Sequence, residues 1–334
     1  MQLLRKLGFP LSLIYALVVY IRNYLYDIGI FASKSFDTKT ICVGNLSVGG
    51  TGKTPMIEFL VANASAGTKL AILSRGYGRK SKGYLLAGEK TTVDQLGDEP
   101  YQIYKKFPHV AMAVDAERQH GISVLEKTVE PDLILLDDAF QHRKVRCDHY
   151  ILLTSYSNLY VDDWYLPTGN LRDSKKEAKR AHIVVVTKCP AELDKKEEQY
   201  ILEKLSPGAH QKVVFSYLDY STSVKGGGKT YALNQLKDME ITLVTGIANP
   251  RPLVSYLNEQ GINFEHKAYS DHHFFTEKEI EVFRNKKMVL TTEKDYVRLE
   301  GRLDNLFYLG VKHKFFGGGE EVLLQVLNTP KHKD

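Results

Sequence analysis

The chain has 334 residues, a formal net charge of +5 and a hydrophobic fraction of 43%, which together describe an ordinary globular protein long enough for two domains. Its three cysteines lie far apart and form no C-x-x-C pair, which argues against a disulfide framework or a zinc site and favours a reducing, cytosolic setting. The mild positive charge gives no indication of nucleic acid and suits an anionic substrate or an anionic lipid surface. Nothing in the sequence indicates an obligate protein partner.

The N-terminus opens with an apolar segment. Residues 7–21 are nearly all apolar, follow Arg5 and Lys6, and end at Arg22, after which apolar and aromatic residues continue to Phe31. The uninterrupted run of about 15 residues is short for a spanning helix, which needs about 20, and no signal-peptide cleavage site follows it. We predict that residues 1–31 form a helix lying in the cytoplasmic leaflet of a membrane. A buried core helix is the alternative.

A glycine-rich loop follows the β-like residues 40–43. Its candidate phosphate-binding residues are Ser47, Val48, Gly49, Gly50, Thr51, Gly52, Lys53 and Thr54. The glycines let backbone N–H groups point at phosphate oxygens, Lys53 reaches the β- and γ-phosphates, and the Thr54 hydroxyl can ligate Mg²⁺. The general pattern G-x-x-x-x-G-K-[ST] has glycine where this chain has Ser47. The loop predicts binding of a nucleoside triphosphate, with a departure from the pattern at its first turn.

Short β-branched runs alternate with helical stretches beyond this loop, which is typical of a parallel sheet covered on both faces. The predicted strands are residues 40–43, 69–73, 109–114, 133–136, 150–153 and 183–186. Around residues 225–229, a glycine run between two alternating stretches indicates a hairpin or hinge. A second unit then has predicted strands at residues 241–244, 288–290 and 306–309.

These patterns predict an α/β fold of the P-loop NTPase type with a smaller C-terminal α/β domain. We place the N-terminal helix at residues 1–31, the P-loop domain at 32–212, the hinge at 213–240 and the C-terminal domain at 241–334. Ligands of open α/β sheets lie at the carboxyl ends of the strands, so the functional residues are expected there.

Two carboxylates end one predicted strand. Asp137 and Asp138 come directly after the apolar residues 133–136. In phosphate-loop enzymes, a carboxylate at this position holds Mg²⁺ directly or through water, opposite the threonine of the loop. The sequence does not decide which of the two aspartates contacts the metal.

Two other classes of nucleotide-binding protein share parts of this pattern. Residues 187–190 follow a strand as the guanine-reading segment of GTPases does, but Pro190 replaces the aspartate that reads guanine. Partitioning-type ATPases have a similar phosphate loop, with a lysine where this chain has Val48. A regulatory switch or a partitioning ATPase is therefore the alternative to a metabolic enzyme, and neither explains the apolar N-terminus.

Seven short motifs, taken together and in order, closely resemble the tetraacyldisaccharide 4'-kinase family of lipid A biosynthesis. They are residues 44–55, 73–79, 97–100, 137–142, 167–173, 270–273 and 291–295. The resemblance covers nearly the whole chain. Two positions depart from it: Ala139 stands where the family usually has glycine, and Asp173 where it usually has glutamate.

The resemblance implies transfer of the γ-phosphate of ATP to the 4'-hydroxyl of an acylated glucosamine disaccharide 1-phosphate. It places the catalytic body on the cytoplasmic face of the inner membrane, as a peripheral or monotopic protein with ATP and Mg²⁺ as cofactors. A sugar hydroxyl needs a base to accept its proton. The resemblance assigns this role to Asp98, with His272 orienting Asp98 or sharing the proton across the two domains.

The resemblance also implies residues that bind the substrate, and the basic ones among them would contact phosphates of the nucleotide or of the acceptor. These candidates are Arg75, Arg79, Arg172, Asp173 and Lys294. Lys53, Asp98 and His272 complete the predicted catalytic set.

Overall fold

The computed structural model of the chain describes residues 8–331. The basic flank formed by Arg5 and Lys6, and the first residue of the apolar run, Leu7, lie outside the described residues. The last three residues of the chain also lie outside them.

The described residues form alternating strands and helices. The strands are β1 (Lys39–Asn45), β2 (Leu70–Ser74), β3 (Leu85–Leu86), β4 (Ala111–Val114), β5 (Leu133–Asp137), β6 (His149–Ser155), β7 (Ile183–Thr187), β8 (Lys212–Gly226), β9 (Lys229–Ala232), β10 (Ile241–Thr245), β11 (Phe264–Ala268), β12 (Met288–Thr292) and β13 (Leu306–Phe315). The α-helices are α1 (Phe9–Asp27), α2 (Lys53–Ala62), α3 (Val93–Leu96), α4 (Asp98–Lys106), α5 (Arg118–Thr128), α6 (Lys195–Leu205), α7 (Arg251–Glu259), α8 (Glu277–Arg284), α9 (Glu293–Leu299) and α10 (Gly319–Asn328). Two 3₁₀ helices span Lys175–Arg180 and Leu233–Leu236.

The strands within residues 8–331 form one sheet in the order β11-β10-β12-β13-β8-β7-β6-β1-β5-β2-β4-β3, with β9 paired to β8. Strand β1 lies between β5 and β6 and is parallel to both. Strand β8 is parallel to β7 along its first residues and antiparallel to β13 farther on, so it carries the sheet from the first unit into the second. The predicted α/β fold and the hairpin, which is β8–β9, are confirmed.

Every predicted strand overlaps an observed strand, but some strands were missed. Strand β11 has the sequence FEHKA, and its side chains are mostly exposed at the sheet edge. An edge strand of this kind does not show the apolar pattern of a buried strand. Strand β3 is two residues long and therefore carries no periodic signal.

The core of the first unit lies on both faces of its sheet. Along β1, Ile41 and Val43 pack with Met56 of α2, whereas Cys42 between them packs on the opposite face with Ile122 of α5. This alternation follows from the two-residue period of a strand. Because helices cover both faces, the carboxyl edge of the strands is the part of the sheet left open for a ligand.

Helix α1 reverses the usual distribution of polar and apolar side chains. Its buried residues are Ser12, Val19 and Asn23, two of which are polar. Its exposed large apolar residues are Phe9, Leu11, Leu13, Ile14, Leu17, Val18, Tyr20, Ile21 and Tyr24. This pattern is the opposite of that expected for a buried core helix.

Helix α1 extends beyond the uninterrupted apolar run of residues 7–21, and within the predicted helical segment 1–31 it ends at Asp27. The helix has 19 residues because it continues through Arg22 and Asn23 to Asp27. By length and composition alone it would be able to cross a membrane.

Candidate functional site

The phosphate loop joins β1 to α2, as predicted. Gly49 and Gly52 have φ angles of 119° and 85°, in the left-handed region that favours glycine. Ser47 is not among the residues with positive φ, and it forms an antiparallel bridge with Leu171. The first turn of the loop therefore does not require glycine at position 47. Lys53 and the residues after it begin α2, so the free N–H groups of the helix N-terminus face the end of the loop.

Side chains from three strands bind this loop, one at the Thr51 hydroxyl and two at backbone carbonyl groups. Asn45 Nδ2 donates to Thr51 Oγ1 over 2.9 Å, and Thr187 Oγ1 donates to the Thr51 carbonyl over 2.8 Å. His313 Nε2 lies 3.0 Å from the carbonyl oxygen of Gly52. Burial lowers the pKa of His313 to about 4, so its ring is neutral and donates its Nε2–H to that carbonyl. The contribution of β13 to the loop, through His313, was not predicted.

Asp137 and Asp138 lie at the carboxyl end of β5, beside the phosphate loop. Arg172 donates to both carboxylate oxygens of Asp138, with 3.0 Å between Nη1 and Oδ2. Lys53 Nζ lies 3.7 Å from Asp138 Oδ1. Asp137 accepts a hydrogen bond from Ser74 Oγ over 2.9 Å. The structure thus brings together the lysine of the loop and the two carboxylates that the sequence assigned to Mg²⁺.

The two aspartates differ in their electrostatic surroundings. Burial, and then the negative charge of Asp138, raise the pKa of Asp137 to about 6. Burial would raise the pKa of Asp138 as well, but Lys53 and Arg172 outweigh it and lower this pKa to about 2. The pair therefore contains one carboxylate with compensating cations and one whose charge is poorly compensated, which is a favourable environment for a bound cation.

Asp98 and His272 are in contact although they are far apart in the sequence. Asp98 is the first residue of α4, and His272 lies in the loop after β11. The distance between His272 Nδ1 and Asp98 Oδ2 is 2.9 Å. His272 has a φ of 59°, an uncommon backbone conformation for a residue other than glycine. Such conformations concentrate at functional sites, where the surrounding structure holds them.

Two cations of helix α9 complete this cluster. Arg298 binds both carboxylate oxygens of Asp98, with 2.7 Å between Nε and Oδ1. Lys294 Nζ lies 3.0 Å from His272 Nε2 and 3.1 Å from Glu99 Oε1. Arg298 was missed by the sequence analysis, but a signal existed. It lies four positions after Lys294, which places both side chains on one face of a helix.

The contact between Asp98 and His272 shifts both of their pKa values. Burial would raise the pKa of Asp98, but hydrogen bonds from His272 and Arg298 lower it to about 2. The hydrogen bond to Asp98 raises the pKa of His272, against the opposing effects of burial and Lys294. A proton that enters the pair therefore comes to rest on the imidazole of His272, and Asp98 stays ionised.

The Asp98–His272 pair and the phosphate loop lie along the same edge of the sheet. Glu99, next to Asp98, is close enough to Asp137 to contribute to the raised pKa of that carboxyl. A side chain at Gly97 would meet the carbonyl oxygen of Tyr77 at 2.7 Å, so the start of α4 packs closely against the loop that follows β2. Both clusters thus border the carboxyl ends of β2 and β5.

The remaining predicted substrate-binding residues lie in different surroundings. Arg75 is exposed just beyond the end of β2. Arg79 donates to the carbonyl oxygens of Gly83 and Val114 over 2.6 and 3.4 Å, which fixes its own loop. Asp173 is fully buried, with its carboxylate bound by helix α1. For Arg79 and Asp173 the observed partners are structural, and substrate contact through them stays a prediction.

Known proteins of one family share the sequence and the fold of this chain. The model of the family described as tetraacyldisaccharide-1-P 4'-kinase matches residues 4–329. The tetraacyldisaccharide 4'-kinase of Flavobacterium johnsoniae is 47% identical, with 99% of this chain and 98% of that protein covered. That of Flavobacterium psychrophilum is 45% identical, with 98% and 97% covered. A crystal structure of LpxK from Aquifex aeolicus in complex with ATP superposes with a TM-score of 0.79 at 31% identity, covering 97% of this chain and 98% of that one.

Proposed function

Because this chain belongs to the tetraacyldisaccharide-1-P 4'-kinase family, we propose that the edge of the sheet described above is its active site. The enzyme is an ATP-dependent kinase that phosphorylates the 4'-position of tetraacyldisaccharide 1-phosphate in lipid A biosynthesis. A GTPase switch or a partitioning ATPase is not favoured.

One observation carries the assignment of the site. The phosphate loop, which would hold the transferable phosphate, shares its sheet edge with a carboxylate–imidazole pair whose histidine has a raised pKa. A kinase needs both parts, because the phosphate must be positioned and the proton of the attacking hydroxyl must be accepted.

Different residues of the site serve different parts of the phosphoryl transfer. The N–H groups at the start of α2 and the Lys53 ammonium hold the β- and γ-phosphates, and the backbone of residues 47–54 surrounds them. The 4'-oxygen forms a bond to the γ-phosphorus while the bond between that phosphorus and the bridging oxygen of ADP breaks. Asp98 accepts the hydroxyl proton, which passes to His272 because the pKa of His272 is raised and that of Asp98 is lowered.

The residues present fit a Mg²⁺ ion. Asp137, Asp138 and the Thr54 hydroxyl offer oxygen donors, which Mg²⁺ prefers. Burial and the charge of Asp138 raise the pKa of Asp137, and a bound cation would oppose this effect. Within residues 8–331, no group of three or more His, Cys, Asp or Glu side chains is arranged to hold a metal. The ion would therefore depend on phosphate oxygens for other positions. When bound, Mg²⁺ would supply positive charge that offsets the negative charge of the transferred phosphate.

Cationic side chains beside the phosphate loop and beside the Asp98–His272 pair would bind the phosphate groups. Arg172 reaches the phosphate loop through Asn45 and Asp138, so it is placed to stabilise charge on the transferred phosphate. Lys294 is held by Glu99 and His272 and is suited to meet the γ-phosphate or the acceptor. Arg75 is exposed at the same edge, where an anionic acceptor would approach.

Turnover with and without the acceptor tests this function. Purified protein, labelled ATP, Mg²⁺, detergent and tetraacyldisaccharide 1-phosphate should yield a bis-phosphorylated lipid, and chelation of Mg²⁺ should stop its formation. ATP consumption should be nearly absent without the acceptor, since a kinase completes its site only with both substrates. Equal ATP hydrolysis with and without the acceptor, and no new lipid, would instead indicate a switch or a motor.

The exposed face of α1 suits a membrane surface. Its apolar side chains form a stripe that the other described residues, up to position 331, leave exposed. Such a helix lowers its free energy by placing this face among lipid acyl chains. We place the catalytic body on the cytoplasmic side of the inner membrane, where ATP is present and where the acylated acceptor is embedded.

A charged residue in this stripe should weaken membrane binding. Leu17→Asp places a carboxylate at a position that is 58% exposed, and burying that charge in lipid would cost roughly 2.5–3.5 kcal/mol. Sedimentation with vesicles of phosphatidylethanolamine and phosphatidylglycerol should fall at least about tenfold. Val282→Asp is the matched control, because Val282 is an exposed apolar residue of α8. Equal sedimentation of both variants would show that α1 is not the membrane contact.

A further inference from the structure

Helix α1 carries a polar stripe on the face that packs against the catalytic body. Ser12 and Asn23 are buried, and Tyr15 and Arg22 lie on the same side because these positions follow the helical period. A buried polar group destabilises the fold unless it is hydrogen-bonded. The partners of these side chains therefore show what α1 is built to hold.

All four side chains contact one short segment, residues 168–173, which we call the strap. Ser12 Oγ donates to Thr168 Oγ1 over 2.8 Å, and Tyr15 OH donates to the carbonyl of Arg172 over 3.0 Å. Arg22 and Asn23 both contact Asp173.

Asp173 is the main attachment point. Its side chain is fully buried and accepts hydrogen bonds from Asn23 Nδ2 over 2.8 Å and from Arg22 Nη2 over 2.9 Å. It also accepts from the backbone N–H of Ser174 over 2.8 Å. Arg22 in turn binds Asn23 Oδ1, so these three side chains form one closed network between α1 and the strap.

The other side of the strap holds the phosphate loop. The Val48 N–H donates to the carbonyl of Asn170 over 2.7 Å, and the Arg172 N–H donates to the carbonyl of Leu46 over 2.9 Å. The guanidinium of Arg172 binds Asp138 and Asn45. Arg172 is thus fixed by α1 through its carbonyl and by the active site through its backbone N–H and its side chain.

We propose that Asp173 is a positioning residue for phosphoryl transfer. By fixing the strap to α1, it holds Arg172 against Asp138 and the phosphate loop, so the membrane helix is a structural part of the nucleotide site. This inference rests on the proposed roles of the loop and of Asp138. It assigns the carboxylate of Asp173 to α1 and not to the substrate.

The expected effect is substantial because active-site groups must be placed accurately. A displacement of about 1 Å can cost about 100-fold in rate. Loss of one of several bonds to the strap should displace Arg172 by less than that. We therefore expect Asp173→Asn to lower kcat about tenfold.

The assay uses the full-length enzyme and the acceptor in detergent micelles, so that capture by a bilayer does not enter the rate. Asp173→Asn keeps one oxygen that accepts from Asn23 Nδ2, but it places an amide NH₂ group against the Arg22 guanidinium, which is also only a donor. The double substitution Asn23→Asp with Asp173→Asn exchanges acceptor and donor between the same two positions and keeps a carboxylate beside Arg22. We expect this exchange to restore most of the lost kcat, while sedimentation with phosphatidylethanolamine and phosphatidylglycerol vesicles stays unchanged in both variants.

Two further variants complete the test. Tyr15→Phe removes only the hydroxyl that binds the Arg172 carbonyl and should lower kcat about threefold without loss of folding. Asp27→Asn is the matched control, because Asp27 is an exposed acid of α1 that pairs with Arg143 and not with the strap. Its kcat should equal that of the wild type.

Failure of this proposal can be distinguished from failure of the proposed function. Wild-type enzyme that makes no bis-phosphorylated lipid would contradict the proposed function. An active wild type with normal kcat in Asp173→Asn, or with no restoration by the exchange, would overturn the role of Asp173. If Asp173→Asn does not fold, Tyr15→Phe provides the test. A reduced kcat at unchanged melting temperature would support the proposal that α1 positions Arg172 through the strap. A wild-type kcat would contradict this proposal.

Discussion

Lys53→Ala is expected to lower phosphoryl transfer by at least about 100-fold, because it removes the cation that contacts the β- and γ-phosphates. Lys53 is the first residue of α2, and its side chain reaches toward Asp138 instead of packing in the core. The substitution should therefore leave the fold intact, as judged by circular dichroism and thermal melting. Turnover of the acceptor in micelles, measured at saturating ATP, reports the loss.

A matched control separates this effect from the loss of any lysine at a helix start. Lys195 is the first residue of α6 and is exposed, so Lys195→Ala should retain wild-type turnover. Lys53 also lowers the pKa of Asp138, so its removal weakens the electrostatic balance of the carboxylate pair as well. Retention of more than about a tenth of wild-type turnover by Lys53→Ala would contradict the assignment of the loop.

Local patterns predicted the parts of the site that are continuous in the chain. The phosphate loop and the carboxylates Asp137 and Asp138 each sit at a strand end, where a strand, a loop and a helix follow one another in sequence. The glycines at 49 and 52 then adopt the left-handed backbone that the loop requires. Such features need no knowledge of distant contacts, which is why residue patterns are sufficient for them.

Tertiary contacts determined what the sequence analysis missed. His313 supports the phosphate loop from a strand that is 261 positions away, and no residue pattern connects the two. Arg298 binds Asp98 because α4 and α9 pack together. The contact between Asp98 and His272 was anticipated only through the family resemblance, since spacing alone does not bring them together.

The polar residues of α1 are a second case in which tertiary contacts explain a feature of the sequence. The apolar run predicted a membrane-facing helix, and the uncovered stripe agrees with this. The sequence did not indicate why Ser12 and Asn23 interrupt the pattern. Their hydrogen bonds to the strap supply the reason, because the polar groups of Thr168 and Asp173 need hydrogen-bond partners in α1.

Asp98→Asn is expected to lower turnover by roughly 100-fold or more while ATP binding changes little. The amide keeps the shape of the side chain but is unable to accept the proton of the 4'-hydroxyl. His272→Ala should act in the same direction, because it removes the group on which the proton rests. His273→Ala is the control: His273 binds Glu279 and not Asp98, so its turnover should stay near that of the wild type.

The pH profile distinguishes proton transfer from simple positioning. The imidazole must be neutral to accept a proton, and its pKa lies above the ordinary value, which is about 6.5. Wild-type activity should therefore fall as the pH is lowered through that raised pKa. This decline should be absent from the residual activity of His272→Ala. A decline of unchanged shape in His272→Ala would assign it to another group.

The double variant decides whether the two residues form one unit. If Asp98 and His272 handle the same proton, removal of either disables the transfer, and Asp98→Asn with His272→Ala should be little worse than the worse single variant. Losses that multiply would mean that His272 acts independently, for example on a phosphate of the acceptor together with Lys294, which lies 3.0 Å from its Nε2. A near-normal rate for Asp98→Asn would remove Asp98 from the reaction and direct attention to Asp137, whose raised pKa of about 6 makes it the stronger base of the two carboxylates at the end of β5.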